Sequence, residues 1–150
     1  YVAHPQFVAN AEPNDQRFDS KTTQLAAPFA TDGLSGDVQV TMIASNTSPF
    51  PMLRNEELVL MWAEAHIGTD NSAAVTAINK VRAAAGLLPY GGPTDDAALL
   101  DQLLHERRYS LFGEGHRWID MRRFNRLGNI PTDRPGDVVH QQFPRPIFDQ

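Results

Sequence analysis

Apolar residues recur at helical spacing through the second half of the chain and lose that rhythm in the first. Leu58, Val59, Leu60, Met61, Trp62 and Ala63 form an uninterrupted apolar run. It predicts a helix over 52–67 that is buried on most sides, with Trp62 in the core. Gly68 stops that helix. Asp70 or Asn71 can cap the next, over 72–85, which turns Ala74, Ile78 and Val81 inward, carries Asn79 and Arg82 at its flanks, and has Gly86 just past its end. Small residues at Ala63 and Ala74 would let the two helices approach closely as an antiparallel hairpin of tetratricopeptide type, although no second copy follows at a fixed period. After a Pro/Gly loop, Thr94 is placed to cap a third helix over 94–112, with Asp95 and Asp96 in its first turn. Gly113, Glu114 and Gly115 break the pattern, and a fourth helix runs over 117–127 to Gly128.

The flanks read differently. Pro5, Pro13 and Pro28 interrupt residues 1–35, which should be irregular and wrap a core. The segment Pro13-Asn14-Asp15-Gln16-Arg17 reads as a turn with an exposed charge pair, and Thr31-Asp32-Gly33 as a second turn. Alternation of Val38, Val40 and Met42 with polar residues predicts a short strand over 38–43. Residues 128–150 are proline-rich and extended, held only if Phe143, Ile147 and Phe148 pack back on the helices. The expected fold is mostly α: one domain over 1–150, with an irregular part and a short strand or hairpin (1–51), a four-helix portion (52–127) and an extended tail (128–150).

Charge placement alters this picture. Leu100, Leu103, Leu104, Arg107 and Leu111 share one helical face, so Arg107 points where leucines point. A guanidinium there needs a carboxylate. Glu57, Glu64 and Glu114 are the candidates, while Arg117, Asp120 and Arg123 have the spacing of a charge ladder. Arg54, Arg82 and Glu106 complete the set expected to form a structural ion-pair network.

Composition excludes some functions. The net charge of -5, with no basic run beyond two residues, argues against a nucleic-acid partner. There is no cysteine, hence no disulfide or thiol chemistry, and no apolar run approaches the ~20 residues of a membrane helix. Tyr1 as first residue suggests a processed or trimmed chain.

Catalytic signals are weak. His66, His105 and His116 stand near acidic residues without the His-x-x-x-His spacing of a helical metal site. Ser110 has no glycine-elbow context. Glu57 and Glu64 could form a glycosidase pair only if they faced a groove. Trp62 and Trp118 read as core, Tyr90 as the better surface aromatic, and no residue is assigned as a ligand contact, catalytic group or metal ligand.

An ordered series of motifs carries a resemblance: Asp15-x-Arg17, Leu53-Arg54-x-x-Glu57, Ala63-Glu64-Ala65, Ile78-Asn79-x-Val81-Arg82, Ala85-Gly86-Leu87, Glu106-Arg107-Arg108, Glu114-Gly115-x-Arg117, Asp120-x-x-Arg123 and Phe143-Pro144-x-Pro146-Ile147. Together they resemble the SusD/RagB family of outer-membrane nutrient-binding lipoproteins. The resemblance implies a mostly helical fold with helical hairpins and long irregular loops. It also implies a non-catalytic, cofactor-free role at the cell surface, binding oligosaccharides or other nutrients beside a SusC-like TonB-dependent transporter. Family members are several times longer and start with a lipidated cysteine, so this chain corresponds to their carboxy-terminal part. The alternatives are a helical interaction module that docks on the transporter or on the amino-terminal half, and a glycan-processing enzyme.

Overall fold

The computed structural model describes residues 1–43 and 45–143. The chain runs α1 (Pro5–Ala9), α2 (Gln16–Asp19), β1 (Thr22–Thr31), β2 (Leu34–Val40), α3 (Asn55–His66), α4 (Asn71–Ala84), α5 (Asp96–Ser110) and α6 (His116–Arg123), then a 3-10 turn over Leu127–Asn129. The fold is predominantly helical with one open β-hairpin. No helix among the described residues is long and apolar enough to cross a membrane. The expected packing of Ile147 and Phe148, with the Pro144 and Pro146 motif, lies outside the described residues.

The four main helices stand near their expected places, each shorter at one or both ends. Asp70 caps α4 by accepting from the Ala73 amide, and Asn71 is the first helical residue. At α5 the cap is Asp95, whose carboxylate accepts from the Ala98 amide; the expected cap, Thr94, instead offers its carbonyl to the Asn71 side chain. The last helix ends at Arg123 rather than Leu127, because Asn125 takes a left-handed φ of 56° and the chain tightens into the 3-10 turn.

Leu60 and Ala63 of α3 meet Ala74, Ala77, Ile78 and Val81 of α4 and Leu99 and Leu103 of α5 in one core cluster. Ala63 and Ala74 are fully buried, as a close helix crossing requires. The remainder of the α3 apolar run corrects the sequence reading. Leu58 (48% exposed), Met61 (53%) and Trp62 (49%) lie on an open face, and Trp62 stacks on His66. Six apolar residues in a row cover every side of a helix, but the described residues supply neighbours for one side only.

The first forty residues are ordered more regularly than proline placement predicts. Pro5 sits in the first turn of α1, where its missing N–H costs nothing. Phe7 of α1 stacks between Tyr109 and Phe112 at centroid distances of 4.8 and 4.1 Å, forming a second cluster with Ala3 and Val38. β1 and β2 pair as an antiparallel ribbon around Asp32 (φ 50°) and Gly33 (φ 75°), so the expected turn is the tip of a hairpin whose first strand was not anticipated. Residues 25–28 stand opposite the single residue Asp37, a bulge at the point where Pro28 cannot join the ladder. α5 serves both clusters: Leu99 and Leu103 face the α3–α4 hairpin, and Tyr109 faces the amino-terminal wrap.

The end of α4 ties these parts together. The Leu87 amide donates to the Arg82 carbonyl over Gly86, and the Gln16 amide to the Ala85 carbonyl. Gly86 has a φ of 77°, and a Cβ there would lie 2.7 Å from the Gln16 side-chain nitrogen. Gly86→Ala should therefore cost about 1–2 kcal/mol, with a lower urea midpoint, while Gly128→Ala, at an open position, should leave the midpoint unchanged.

Candidate functional site

Glu106 is the least exposed charge among the described residues, with no exposed surface. It follows Leu99 and Leu103 at i+7 and i+3, on the stripe that also carries Ser110. Arg17 Nη1 donates to its Oε2 (2.6 Å); Arg82 Nη1 (2.8 Å) and Gln102 Nε2 (2.6 Å) donate to its Oε1. Each arginine has a second carboxylate. Asp15 receives Arg17 Nε and Nη2 at 2.9 and 2.7 Å, and Glu12 receives both Arg82 Nη atoms at 2.6 and 2.8 Å. Asp15 is 1% exposed, so the Pro13–Arg17 segment holds a buried charge pair rather than the exposed one expected. The hydrogen bonds that Glu12 accepts from Arg82 are the main reason that its carboxyl sits below the ordinary carboxylate range.

A second cluster joins α5 to α6. Arg107 Nε donates to Asp120 Oδ2 at 2.7 Å, and Arg123 holds Asp120 Oδ1 at 3.2 Å while also gripping Glu64 with both terminal nitrogens. The partner of Arg107 is thus Asp120, one turn into the next helix, and not Glu57, Glu64 or Glu114. Glu114 accepts from Arg54 Nε at 2.5 Å, and Glu57 lies 3.7 Å from His116. Arg117 takes no part in the ladder with Asp120: among the described residues it has no carboxylate within ion-pair distance. Beyond both clusters, the Lys21 ammonium donates to the Tyr109 and Ser110 carbonyls that end α5, at 2.8 and 2.7 Å. Burial, and then the nearby Arg54 charge, push its pKa down to about 8.

Partners occupy three of the candidate catalytic groups, Ser110, Glu64 and His66, while His105 Nε2 is buried without a hydrogen bond among the described residues. The Ser110 hydroxyl accepts from Arg17 at 3.1 Å, and the Glu64 carboxylate is held by Arg123. His66 bonds the Trp62 carbonyl, and no group of three or more potential metal ligands forms among the described residues.

Open space gathers instead around α6. A cavity of about 480 Å³ is walled by Phe7, Phe112, Trp118 and Ile130 and carries Arg107, Arg108 and Arg117. A neighbouring cavity of about 710 Å³ shares Gly115, Trp118, Ile130 and Pro131 with it and continues along residues 132–143. Trp118 stands between them. It is half-buried rather than core, its indole N–H donating to the His140 carbonyl and its ring 4.9 Å from Phe143. Tyr90, the aromatic expected at the surface, packs against the hairpin core and donates its hydroxyl to the Pro93 carbonyl.

A model of the SusD family matches residues 6–146. The chain belongs to the SusD family. SusD family proteins are non-catalytic binding proteins. Among solved structures, a SusD superfamily protein from Bacteroides vulgatus is similar at 32% identity and a TM-score of 0.50, over 51% of this chain and 17% of that protein. A SusD superfamily protein from Parabacteroides distasonis shares the fold with a TM-score of 0.62 at 22% identity, over 81% of this chain and 31% of its own length. The chain therefore spans between about a sixth and a third of these SusD proteins. No curated protein sequence is significantly similar to it.

Sequence reasoning passed over Glu12 and Lys21 and read Asp15 and Arg17 as an exposed pair. All four lie in segments without periodicity, and Glu12, Arg17 and Lys21 meet partners some 70–90 residues away. Glu106 did carry a signal, the same leucine spacing that singled out Arg107.

The network should dominate stability. Glu106→Ala leaves Arg17 and Arg82 facing an apolar site and should cost on the order of 3–5 kcal/mol. Arg107→Ala should cost less, because Arg123 still holds Asp120, and exposed Arg122→Ala about 0.5 kcal/mol at most. Urea midpoints of the three variants check this ordering. The Glu12–Arg82 bond adds a pH dependence. A carboxylate whose folded pKa is depressed contributes stability above its unfolded value, 4.5, and loses it as pH falls through the folded value. The midpoint gap between the parent and Glu12→Gln should be full at pH 7 and narrow as the pH drops below 4.5.

Proposed function

We propose that the chain is part of a cell-surface nutrient-binding protein of the outer membrane. In this reading it takes up oligosaccharide or a similar nutrient and hands it, unaltered and without a cofactor, to a SusC-like TonB-dependent transporter. The observation that carries the reading is the family match over residues 6–146. The joined cavities around Trp118 support it, since a half-buried indole between two openings offers an aromatic face to a sugar ring and has its N–H already satisfied. The carboxylates that a glycosidase would need are bound to arginines or turned to histidine, which supports binding without turnover.

A second reading rests on a separate observation. Leu58, Met61 and Trp62 make an open apolar stripe on α3, continued by Met52 and Leu53, and such a stripe suits docking to the transporter or to the remainder of the protein. The chain would then contribute an interface rather than a glycan contact.

Calorimetric titration of the chain with a panel of oligosaccharides, followed by assay for reducing ends, separates these readings. The expected result is saturable binding that Trp118→Ala weakens, with no new reducing ends. Binding to the transporter alone, abolished by Trp62→Asp and indifferent to Trp118→Ala, would favour the docking role. Sugar release that disappears in Glu64→Gln would overturn both.

A further inference from the structure

The charges around the smaller cavity do not balance. Arg107 is matched by Asp120, whose other oxygen is held by Arg123. His4 and His116 at the rim face Asp133 and Glu57. Arg108 and Arg117 have no carboxylate within ion-pair distance and no hydrogen bond from their guanidinium groups among the described residues. Arg108 rests over the Phe7 ring, 5.5 Å from its centroid, which fixes its position without neutralising it. Both are half-buried, and burial, joined at Arg117 by repulsion from Arg108, lowers their pKa values. An unmatched pair of desolvated cations lowers stability unless something else brings the opposite charge.

A third donor set points to the same place. Gly113, Gly115, His116 and Arg117, the entry to α6, line this cavity. Gly115 is the N-cap of α6, and no side chain caps the helix. The first amide groups of a helix carry partial positive charge, and they stand at a cavity already lined by three guanidinium groups, two of them unmatched among the described residues. Arg107 Nη1, buried without a hydrogen-bond partner among the described residues, belongs to the same lining. Phe7, Phe112, Trp118 and Ile130 line the same cavity, so charged donors and apolar faces share one space. About 480 Å³ suits one sugar ring with its substituents.

We propose that this cavity binds the oxyanion of an acidic sugar, its carboxylate or sulfate held by Arg108, Arg117 and the amino end of α6 and its ring laid against the aromatic wall. The inference rests on the nutrient-binding reading and narrows it to anionic glycans. A planar guanidinium pair suits either oxyanion through paired N–H donors.

The test is titration of the full chain with glucuronate, glucose 6-sulfate, glucose and inorganic sulfate at low and high salt, beside Arg117→Met. Glucuronate or glucose 6-sulfate should bind about tenfold or more tighter than both glucose and inorganic sulfate. The stronger of the two identifies the oxyanion, and the preference should shrink at high salt. Arg117→Met should lose that preference while its urea midpoint stays level or rises, because an unmatched buried cation has been removed. The proposal is overturned by equal affinity for glucose, by inorganic sulfate binding as tightly as the sugars, by an unchanged preference in Arg117→Met, or by a fall in that variant's midpoint. Binding of neutral oligosaccharides with no preference for acidic ones would sink this inference alone. Failure of every sugar would sink the nutrient-binding reading as well.

Discussion

A carboxylate cut off from water must be surrounded by donors, and Glu106 is the place where this fold meets that demand. Its two oxygens bind Arg17 from the amino-terminal wrap, Arg82 from the helical hairpin and Gln102 from its own helix. Those arginines in turn bring in Asp15 and Glu12. Remote pieces of chain are thereby held to α5 at one point, between two apolar clusters that have no residue in common. Apolar packing would tolerate several placements of the wrap; a buried carboxylate with fixed donors tolerates few. Ionic groups inside a protein are an uncertain source of net stability, and their clearer contribution here is to set which surfaces meet.

The Asp120 cluster repeats the arrangement from the next residue of α5, Arg107, with less burial. Arg107 reaches forward to α6, and Arg123 reaches from α6 back to Glu64 on α3. Three helices are thus indexed to one another around a single aspartate. Lys21 ends α5 by donating its ammonium to the Tyr109 and Ser110 carbonyls. Against this background of matched charge, Arg108 and Arg117 stand apart, without a carboxylate partner among the described residues, and give the α6 cavity its own character.

Much of this was legible in the chain and some was not, for reasons tied to particular residues. Helical spacing placed α3 to α6, and leucine spacing marked Arg107 as an inward charge. The partner of Arg107 was not legible, because spacing gives the direction of a side chain within its helix and not the helix that will face it. The β-ribbon was half seen: Val38 and Val40 alternate, whereas β1 is exposed along nearly its whole length and carries no apolar rhythm. Asp15 and Arg17 look like surface residues because polar, proline-flanked segments usually are. Trp62 and its neighbours were read as core since an apolar run states a need for cover without saying whether this stretch of chain supplies it.

The bulge in the ribbon has a consequence for the protein outside its folded interior. A two-stranded ribbon with solvent on most sides offers unpaired backbone groups along its edges, the template on which strands of other molecules add. One edge is engaged near its base, where Val2 bridges Gln39 and the Ala3 amide donates to the Val38 carbonyl. On the other strand, residues 25–28 leave the ladder and Pro28 offers no N–H, so an incoming strand finds no continuous row of donors to follow. The irregularity that weakens the hairpin as a sheet keeps Phe29 and Leu34, both open to solvent, from seeding intermolecular β-structure.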